Sequence, residues 1–264
     1  MAETTLFLSA LGSGSSGNAF FLESPDGALL IDQGFSRKEL LCRMERSGCD
    51  PKKLCGALLT HEHGDHSCGA RVFCDTFDLP LYASAETVFH LKRNGNLPRT
   101  VRAFEPGAKF ELAGFNITSF ALSHDVETVG FQFNYRQSKI GFATDSGCLS
   151  ESVKKHLKNC DALVIESNYD HEMLMNSSRR LDLKRRIFSI RGHLGNKDTA
   201  ELLGELLGER SRLLLLAHVS RECNNYDLLA ELCAGKLAEL NRQSCRFEVL
   251  KQDVPSEKFI IPAE

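Results

Sequence analysis

The chain has 264 residues, of which 42% are hydrophobic and 25% charged, and its formal net charge is −3. This composition predicts a soluble globular protein and excludes attraction to nucleic acid by overall charge, so any such binding must come from a local basic patch. The sequence has no basic leader with a long apolar stretch and no run of about 18 apolar residues, which predicts a cytoplasmic protein without membrane contact.

Predicted strands form two runs, and each run is accompanied by helices. Strands at 6–11, 19–23 and 28–32 form an antiparallel meander with Gly-Ser and Pro-Asp-Gly turns, and a helix over 36–47 follows with Ser36 and Glu39 as a capping box. Later strands are predicted at 57–60, 79–83, 109–112, 115–122, 130–135, 139–143, 162–166 and 213–217, and helices at 84–94, 150–158, 196–208 and 225–241. Two packed sheets with helices outside, in a single domain over residues 1–264, are the simplest arrangement.

Metal-binding residue types cluster directly after the strand at 57–60. His61, His63, Asp65 and His66 follow it within six positions, on a tight turn to which Gly64 gives backbone freedom. His61 and His63 can face one ion while Asp65 and His66 face another. Imidazole and carboxylate together suit zinc, manganese or iron rather than calcium. The alternative is a polar surface turn.

Three further candidate ligands also follow strands. His124 comes after the strand at 115–122, Asp145 after the strand at 139–143, and His218 after the strand at 213–217. A carboxylate at Asp145 can bridge two cations about 3.5 to 4 Å apart. Each residue alone would be as well explained by a structural role, but together with the first cluster the three predict a two-metal site.

Cysteine use indicates a reducing environment. The ten cysteines are scattered and no CxxC pair occurs, which predicts reduced, mostly buried thiols. Cys68 lies near His66, and we expect a buried structural thiol there rather than a ligand.

The ligand pattern, with Asp32 at the end of an early strand, resembles the metallo-β-lactamase superfamily. The resemblance implies an α/β (α+β) fold, an αββα sandwich of two mixed sheets flanked by helices. It also implies one metal on His61, His63 and His124, a second on Asp65, His66 and His218, and Asp145 binding both, with Asp32 supporting the ligand loop.

Further motifs resemble the YycJ/VicX group of that superfamily. They are Gly12-Ser-Gly-Ser-Ser-Gly-Asn18, Ser123-His-Asp125, Thr144-Asp145, Glu166-Ser-Asn168-Tyr-Asp170 with Met173-Leu174, Leu183-Lys184-x-Arg186-Ile187, Gly192-His-Leu-x-Asn196 and Asn224-Asn225. Members are described as metal-dependent 5′ to 3′ exonucleases on DNA. The resemblance therefore implies a nuclease that uses two divalent ions, Zn²⁺ or Mn²⁺ with iron as a further option, and a DNA substrate.

The predicted chemistry is attack by a hydroxide that bridges the two ions, with Asp65 and His193 as candidate catalytic residues. His193 could also bind phosphate or protonate the leaving oxygen, although a buried structural histidine is nearly as well supported. The other candidate substrate contacts are Ser15, Ser16 and Asn18 in a phosphate-cradling loop, Asn168, and Arg186 in the basic segment 179–191. The loop could equally be a plain turn, and the basic segment a solvated helix face.

Other functions stay open at this point. The same ligands would serve a small-molecule hydrolase acting on a thioester, lactone or lactam, but the basic segment and His193 favour a nucleic acid. A catalytically silent scaffold would be expected to have lost a ligand. Glu166 is a candidate outer support for a ligand. No role is assigned to His90, His156 or His171.

Overall fold

Two seven-stranded sheets form the framework of the protein. The computed structural model describes residues 4–263, excepting the side chains of residues 4, 262 and 263. The strands are β1 (Thr4–Gly12), β2 (Ala19–Ser24), β3 (Gly27–Ile31), β4 (Leu54–Leu58), β5 (Leu81–Ser84), β6 (Val101–Phe104), β7 (Lys109–Leu112), β8 (Phe115–Leu122), β9 (Thr128–Tyr135), β10 (Ser138–Ala143), β11 (Ala162–Glu166), β12 (Leu213–Ala217), β13 (Arg246–Val249) and β14 (Phe259–Ala263).

Helices cover the outer faces of both sheets. They are α1 (Arg37–Arg46), α2 (Gly64–Ser67), α3 (Ala70–Phe77), α4 (Ala85–Arg93), α5 (Glu151–Leu157), α6 (His171–Asn176), α7 (Leu181–Ile187), α8 (Asn196–Leu206) and α9 (Tyr226–Glu239), with one 3₁₀ turn at Pro51–Lys53. None of the helices within residues 4–263 is long and apolar enough to cross a membrane.

Both sheets are mixed, and each has one antiparallel half and one parallel half. The first has the order β14-β1-β2-β3-β4-β5-β6, antiparallel from β14 to β3 and parallel from β3 to β6. The second has the order β13-β12-β11-β10-β9-β8-β7, parallel from β13 to β10 and antiparallel from β10 to β7. The predicted meander is therefore confirmed at the start of the chain.

Three apolar layers hold the sandwich together. The central layer lies between the sheets and includes Phe20, Phe131 and Phe259. A second layer packs α1, α3 and α4 on the first sheet, and a third packs α5, α8 and α9 on the second sheet. Since burial of apolar area is the dominant favourable term in folding, these layers fix how the strand ends meet. The arrangement is the predicted αββα sandwich.

Several local predictions need correction. The strand before the histidines ends at Leu58, not Thr60, and Gly64 is the first residue of helix α2 instead of part of a tight turn. Ser36 does cap α1 by accepting the Glu39 N–H, but the Glu39 carboxylate pairs with Arg43. The short elements α3, α6, α7, β6, β13 and β14 were not predicted.

The cysteines are all free, as expected, and six of the ten are buried. Cys68 is exposed, so the expectation of a buried thiol there is wrong. It lies just after α2, on the solvent side of the helix that carries His66.

Candidate metal centre

The predicted ligands meet because six strands deliver their carboxyl ends to one edge of the sandwich. Strand β8 is antiparallel to β9 and β9 to β10, so β8 and β10 run the same way, together with β11 and β12. Strands β3 and β4 are likewise parallel in the other sheet. The residues that follow these strands are therefore neighbours in space although distant in sequence.

Three of these residues have an unusual backbone conformation. Asp32, Asp145 and His218 have φ angles of 60°, 59° and 55°, and each follows the end of a strand by one or two residues. A positive φ is uncommon outside glycine and costs free energy that the surroundings must supply. The conformation turns the chain sharply at the end of the strand and places the side chain at the centre of the site.

The first candidate metal position is formed by three histidines. Atoms of His61, His63 and His124 all lie within 4.8 Å of one another, and His61 Nε2 is 3.0 Å from His63 Nδ1. His61 is fully buried, and His124 Nε2 is buried with no hydrogen-bond partner in the described chain. A buried nitrogen without a hydrogen-bond partner, facing two other imidazoles, fits a cation that would occupy the space between the three rings.

The second candidate position contains Asp65, His66 and His218, whose ligand atoms also lie within 4.8 Å of one another. Asp145 lies between the two groups. Its Oδ2 is 3.1 Å from His66 Nε2, and its Oδ1 is 3.5 Å from His218 Nε2 and 3.9 Å from His124 Nε2. A carboxylate so placed can reach both positions.

Four of the histidines have their second ring nitrogen bound by an outer group. The Nδ1 atoms of His61, His66, His124 and His218 lie 2.7 to 3.0 Å from Thr60 Oγ1, Asp32 Oδ2, Gly192 O and Glu166 Oε1, respectively. An acceptor on Nδ1 fixes the tautomer and leaves Nε2 free as a ligand. Asp32 is fully buried and also accepts from the Thr60 N–H, so it lies where a support for the ligand loop was predicted.

Glu166 joins two of the candidate functional residues. Its Oε1 accepts from His218 Nδ1 at 2.9 Å and from His193 Nδ1 at 2.7 Å, while its Oε2 accepts from the backbone N–H groups of Ser146 and Leu194. Burial would raise the pKa of Glu166, but the nearby histidines lower it. The carboxylate is thus held ionised, and His193 is fixed next to the second metal position.

The two candidate positions differ in electrostatics. Burial holds the pKa of His61 well below its usual value and lowers that of His124. Burial acts in the same direction on His218, but Asp145, Asp65 and Glu166 raise its pKa to about 10. Burial would raise the pKa of Asp145, but His218 and His66 hold it well below its usual value. The lowered pKa values keep His61 and His124 neutral, whereas His218 carries a proton that a metal would displace.

A cleft of about 170 Å³ lies over the cluster. Candidate ligands form its floor, and α7 with the segment before it contributes Arg179, Leu183, Arg186 and Ile187 to its wall. The candidate substrate residues Ser15, Asn168 and His193 also line it. Most of the residues predicted to act on substrate therefore line this cleft.

Most backbone N–H groups of the loop between β1 and β2 are already used within the protein, contrary to what a phosphate cradle requires. The N–H groups of Ser13, Gly14, Ser16, Gly17 and Asn18 all donate to protein oxygens. The Asn18 side chain is buried and lies 3.1 Å from His66 Nε2, so it supports the cluster from inside. Ser15 and Ser16 are exposed, but only Ser15 lines the cleft.

The basic segment divides into structural and cleft-facing residues. Lys184 is buried and donates to the carbonyls of Met175 and Ser177, and Arg191 donates to the carbonyls of His124 and Asp125. Arg186 is the predicted residue that faces the cleft. Arg179 lines the cleft as well, so the segment is neither wholly a solvated helix face nor wholly a cleft surface.

Asp125, the last residue of the Ser123-His-Asp125 motif, has no predicted role in the sequence but lies at the site. Its Oδ1 is 3.0 Å from His124 Nε2, and its Oδ2 is 2.7 Å from the Arg186 guanidinium. The sequence feature that could have indicated a role for Asp125 is its position next to the candidate ligand His124. His90, His156 and His171 belong to none of the candidate metal groups in the described chain.

An αββα sandwich with histidine and aspartate ligands at the strand ends is the architecture of metal-dependent hydrolases with the metallo-β-lactamase fold. Comparison with known proteins agrees: the model of the β-lactamase superfamily domain matches residues 28–218. The chain belongs to the β-lactamase superfamily.

Two named relatives match most of the chain. Exodeoxyribonuclease WalJ of Streptococcus pneumoniae serotype 2 is 34% identical over 244 residues, covering 90% of this chain and 91% of its own. Exodeoxyribonuclease YycJ of Bacillus anthracis is 33% identical over 239 residues, covering 89% of each chain. Among solved structures, the metallo-β-lactamase fold protein YhfI from Bacillus subtilis superposes with a TM-score of 0.72 at 19% identity, over 97% of this chain and 100% of its own.

Proposed function

We propose that the protein is a metal-dependent exodeoxyribonuclease that hydrolyses phosphodiester bonds at a two-metal centre. The observation that carries the proposal is the pair of candidate metal positions around Asp145, beneath a cleft with an arginine-bearing wall. The relatives that match along nine-tenths of the chain are named as exodeoxyribonucleases, which supports DNA as the substrate.

The proposed ligands are His61, His63 and His124 for one ion, Asp65, His66 and His218 for the other, and Asp145 for both. Zn²⁺ or Mn²⁺ suits this mixture of imidazole and carboxylate, and iron would also be accepted. When bound, the two ions would lower the pKa of water for attack and neutralise charge on the phosphate oxygens. Asp65 is the most exposed carboxylate of the set, at 23% of its side chain, and faces the cleft where it can orient the attacking water.

The chain's own residues supply proton transfer and orientation. Because Glu166 accepts the Nδ1–H of His193, the Nε2 of this histidine is left to donate a proton to the leaving oxygen or to bind phosphate. Asn168 donates to the His218 carbonyl at 2.7 Å and so positions that ligand, in addition to lining the cleft. Arg186 presents a guanidinium that can pair with a phosphate of the bound strand.

The surface beside the cleft favours a nucleic acid substrate over a small molecule. The side chains of Phe188 and Ile190 are 53% and 71% exposed directly after α7, next to the basic residues Arg185 and Arg191. An exposed aromatic ring flanked by cations is a surface on which a nucleobase can stack while its phosphates are neutralised. A small-molecule hydrolase has no need for such a rim.

The test is hydrolysis of end-labelled DNA. Purified protein is incubated with 5′- and 3′-labelled single- and double-stranded DNA and RNA, with Mn²⁺, Zn²⁺ or a chelator, beside an Asp145→Ala variant. We expect metal-dependent release of nucleotides from DNA that begins at the 5′ end, and none from the variant.

Cleavage without metal would contradict the proposal. Hydrolysis of a thioester or lactone with no cleavage of any nucleic acid would instead favour the small-molecule alternative. Release from the 3′ label first would retain the nuclease and reverse the proposed polarity. The cytoplasmic location stays a prediction from the sequence.

A further inference from the structure

His63 is oriented differently from the other histidines of the cluster. Its Nδ1 faces His61 Nε2 at 3.0 Å, so its Nε2 is the nitrogen turned away from the candidate ion. If Nδ1 binds a metal, Nε2 must carry the proton and needs an acceptor outside the cluster. The Oδ1 atom of Asp125 lies 3.5 Å from this Nε2.

Asp125 Oδ1 is available for that role. The atom is buried and makes no hydrogen bond within the described residues, and it is also 3.0 Å from His124 Nε2. A buried carboxylate oxygen without a donor is costly unless it receives a proton or faces a cation. Asp125 therefore faces the three-histidine group with its free oxygen.

The second oxygen of Asp125 faces the substrate cleft. Oδ2 is 2.7 Å from the guanidinium of Arg186, a residue of α7 that lines the cleft and is 56% exposed. The backbone on either side is fixed by Arg191, which donates to the carbonyls of His124 and Asp125 at 2.9 and 3.0 Å. The carboxylate is thus held between the metal group and the cleft arginine.

We propose that Asp125 is a positioning residue that links the three-histidine metal position to Arg186, so that metal affinity and substrate binding both depend on its carboxylate. The proposal rests on the proposed metal-dependent nuclease function and deepens it. In the metal-bound protein Oδ1 would accept the Nε2–H of His63, now 3.5 Å away, and Oδ2 would hold the Arg186 guanidinium over the cleft, where it meets a phosphate of the DNA strand.

The replacement Asp125→Asn breaks this link in either orientation. An amide has one acceptor and one donor group, so its nitrogen must face either the Nε2–H of His63 or the guanidinium of Arg186. We expect metal affinity at the three-histidine position to fall about 10- to 100-fold, the usual cost of losing an outer carboxylate. We also expect KM for DNA to rise, because whichever contact survives is made by a neutral amide oxygen instead of a carboxylate, so both His63 and Arg186 lose a charged partner.

Metal affinity is measured without DNA, by titrating chelator-treated protein with Zn²⁺ in a His66→Ala background that leaves the three-histidine position intact. Arg186→Met is expected to lower this affinity by a smaller factor, about threefold, the low end of the coupling between residues in one network, because Asp125 loses the guanidinium that orients it. Asp227→Asn is the matched control, since Asp227 is an exposed aspartate in the first turn of α9. It should leave both affinity and KM unchanged.

The KM measurements use the chain with both metal positions intact. The increases caused by Asp125→Asn and Arg186→Met should not multiply in the double variant, because both break one link. Wild-type metal affinity in Asp125→Asn, or KM effects that multiply, would overturn the proposal. If Asp125→Asn fails to fold, unchanged metal affinity in Arg186→Met overturns it instead. The metal titration does not depend on nuclease activity. If the wild-type protein proves inactive on DNA, the nuclease function is refuted, and the titration still tests the link between His63 and Asp125.

Discussion

At the scale of single residues, the outer acceptors determine how the histidines present their nitrogens. Glu166 is the most connected of them, because each of its oxygens accepts two N–H groups. A buried carboxylate can satisfy four donors in this way, and a neutral amide of the same shape cannot. The four N–H donors explain how Glu166 can be fully buried and still have a lowered pKa.

We predict that Glu166→Gln lowers metal affinity at the position of Asp65, His66 and His218 by about 10- to 100-fold. The glutamine amide must point its NH₂ group at either two histidine N–H groups or two backbone N–H groups, and both are repulsive. Metal titration measures the effect. Glu205→Gln, which removes an exposed charge paired with Lys154, is the control. Equal affinities in the two variants would argue against the positioning role of Glu166.

We predict different pH dependences for the two metal positions. The pKa of His218 is raised to about 10, so a metal at the second position must displace its proton throughout the neutral range. Affinity there should rise about tenfold per pH unit for each displaced proton and level off near pH 10. The pKa values of His61 and His124 are lowered instead, so these two ligands have no proton to release and the affinity of the three-histidine position should depend less on pH.

Titrations with Zn²⁺ at several pH values between about 7 and 9 separate the two positions. The same slope at both would contradict this account of their protonation.

At the scale of elements, close backbone contacts place the short ligand helix α2 against the first sheet. Gly34, in the loop after β3, donates to the Asn18 carbonyl, and Asn18 in turn donates to the Asp65 carbonyl. A Cβ on Gly34 would lie 1.8 Å from the Asp65 carbonyl oxygen. Only glycine allows this approach, and the position of Asp65 depends on it.

We predict that Gly34→Ala destabilises the protein by at least about 1 to 3 kcal/mol, the range for overpacking, and weakens metal binding by displacing Asp65. Thermal unfolding with and without Zn²⁺ measures both effects. Gly235→Ala is the matched control, because a Cβ at that exposed position of α9 meets no atom within 4 Å and should stabilise the helix slightly. A Gly34→Ala protein as stable as the control would contradict the close packing.

Sequence patterns predicted the elements whose side chains alternate or repeat clearly. The buried strands β11 and β12 and the helices α8 and α9 were found because their apolar residues form continuous or helical patterns. The strands β6 and β13 have four residues each and are only partly buried, so they carry no such pattern. Their pairing is decided by neighbours far along the chain.

The residues of the candidate site also fall into two groups, those that the sequence pattern predicts and those that only the folded structure reveals. The seven proposed ligands could be predicted because metal-binding residue types recur directly after strands. The roles of Thr60, the Gly192 carbonyl and Asp125 depend on contacts that exist only after folding. The loop at Gly12–Asn18 looked like a phosphate cradle because its own sequence does not show that Asp65, Lys251 and Gln252 use its N–H groups.

At the scale of the whole molecule, strand β14 completes the first sheet by pairing with β1, the first strand of the described chain. Strand β14 pairs with β1 from Thr4 to Leu8, and the Phe259 side chain enters the central core at 1% exposure. The preceding loop also reaches the site, since Gln252 accepts from the Ser16 N–H. The last strand therefore supports the fold and one wall of the site region.

We predict that Phe259→Ala costs about 3 to 5 kcal/mol of unfolding free energy, as for other large aromatic deletions from cores. Ile260→Ala, one residue later on the same strand, should cost about 1 kcal/mol or less because that side chain is 65% exposed. Urea unfolding of both variants makes the comparison. Equal losses would contradict the register of β14 on β1.

The central claim is that two metal positions bridged by Asp145 drive DNA hydrolysis, and counting metal against activity tests it directly. Chelator-treated protein is titrated with Mn²⁺ or Zn²⁺ while release of nucleotides from end-labelled DNA is followed. We expect activity to be absent without metal and to reach its maximum at two equivalents of ion per chain. Full activity in the metal-free protein, or a maximum at a single equivalent, would contradict the two-metal account.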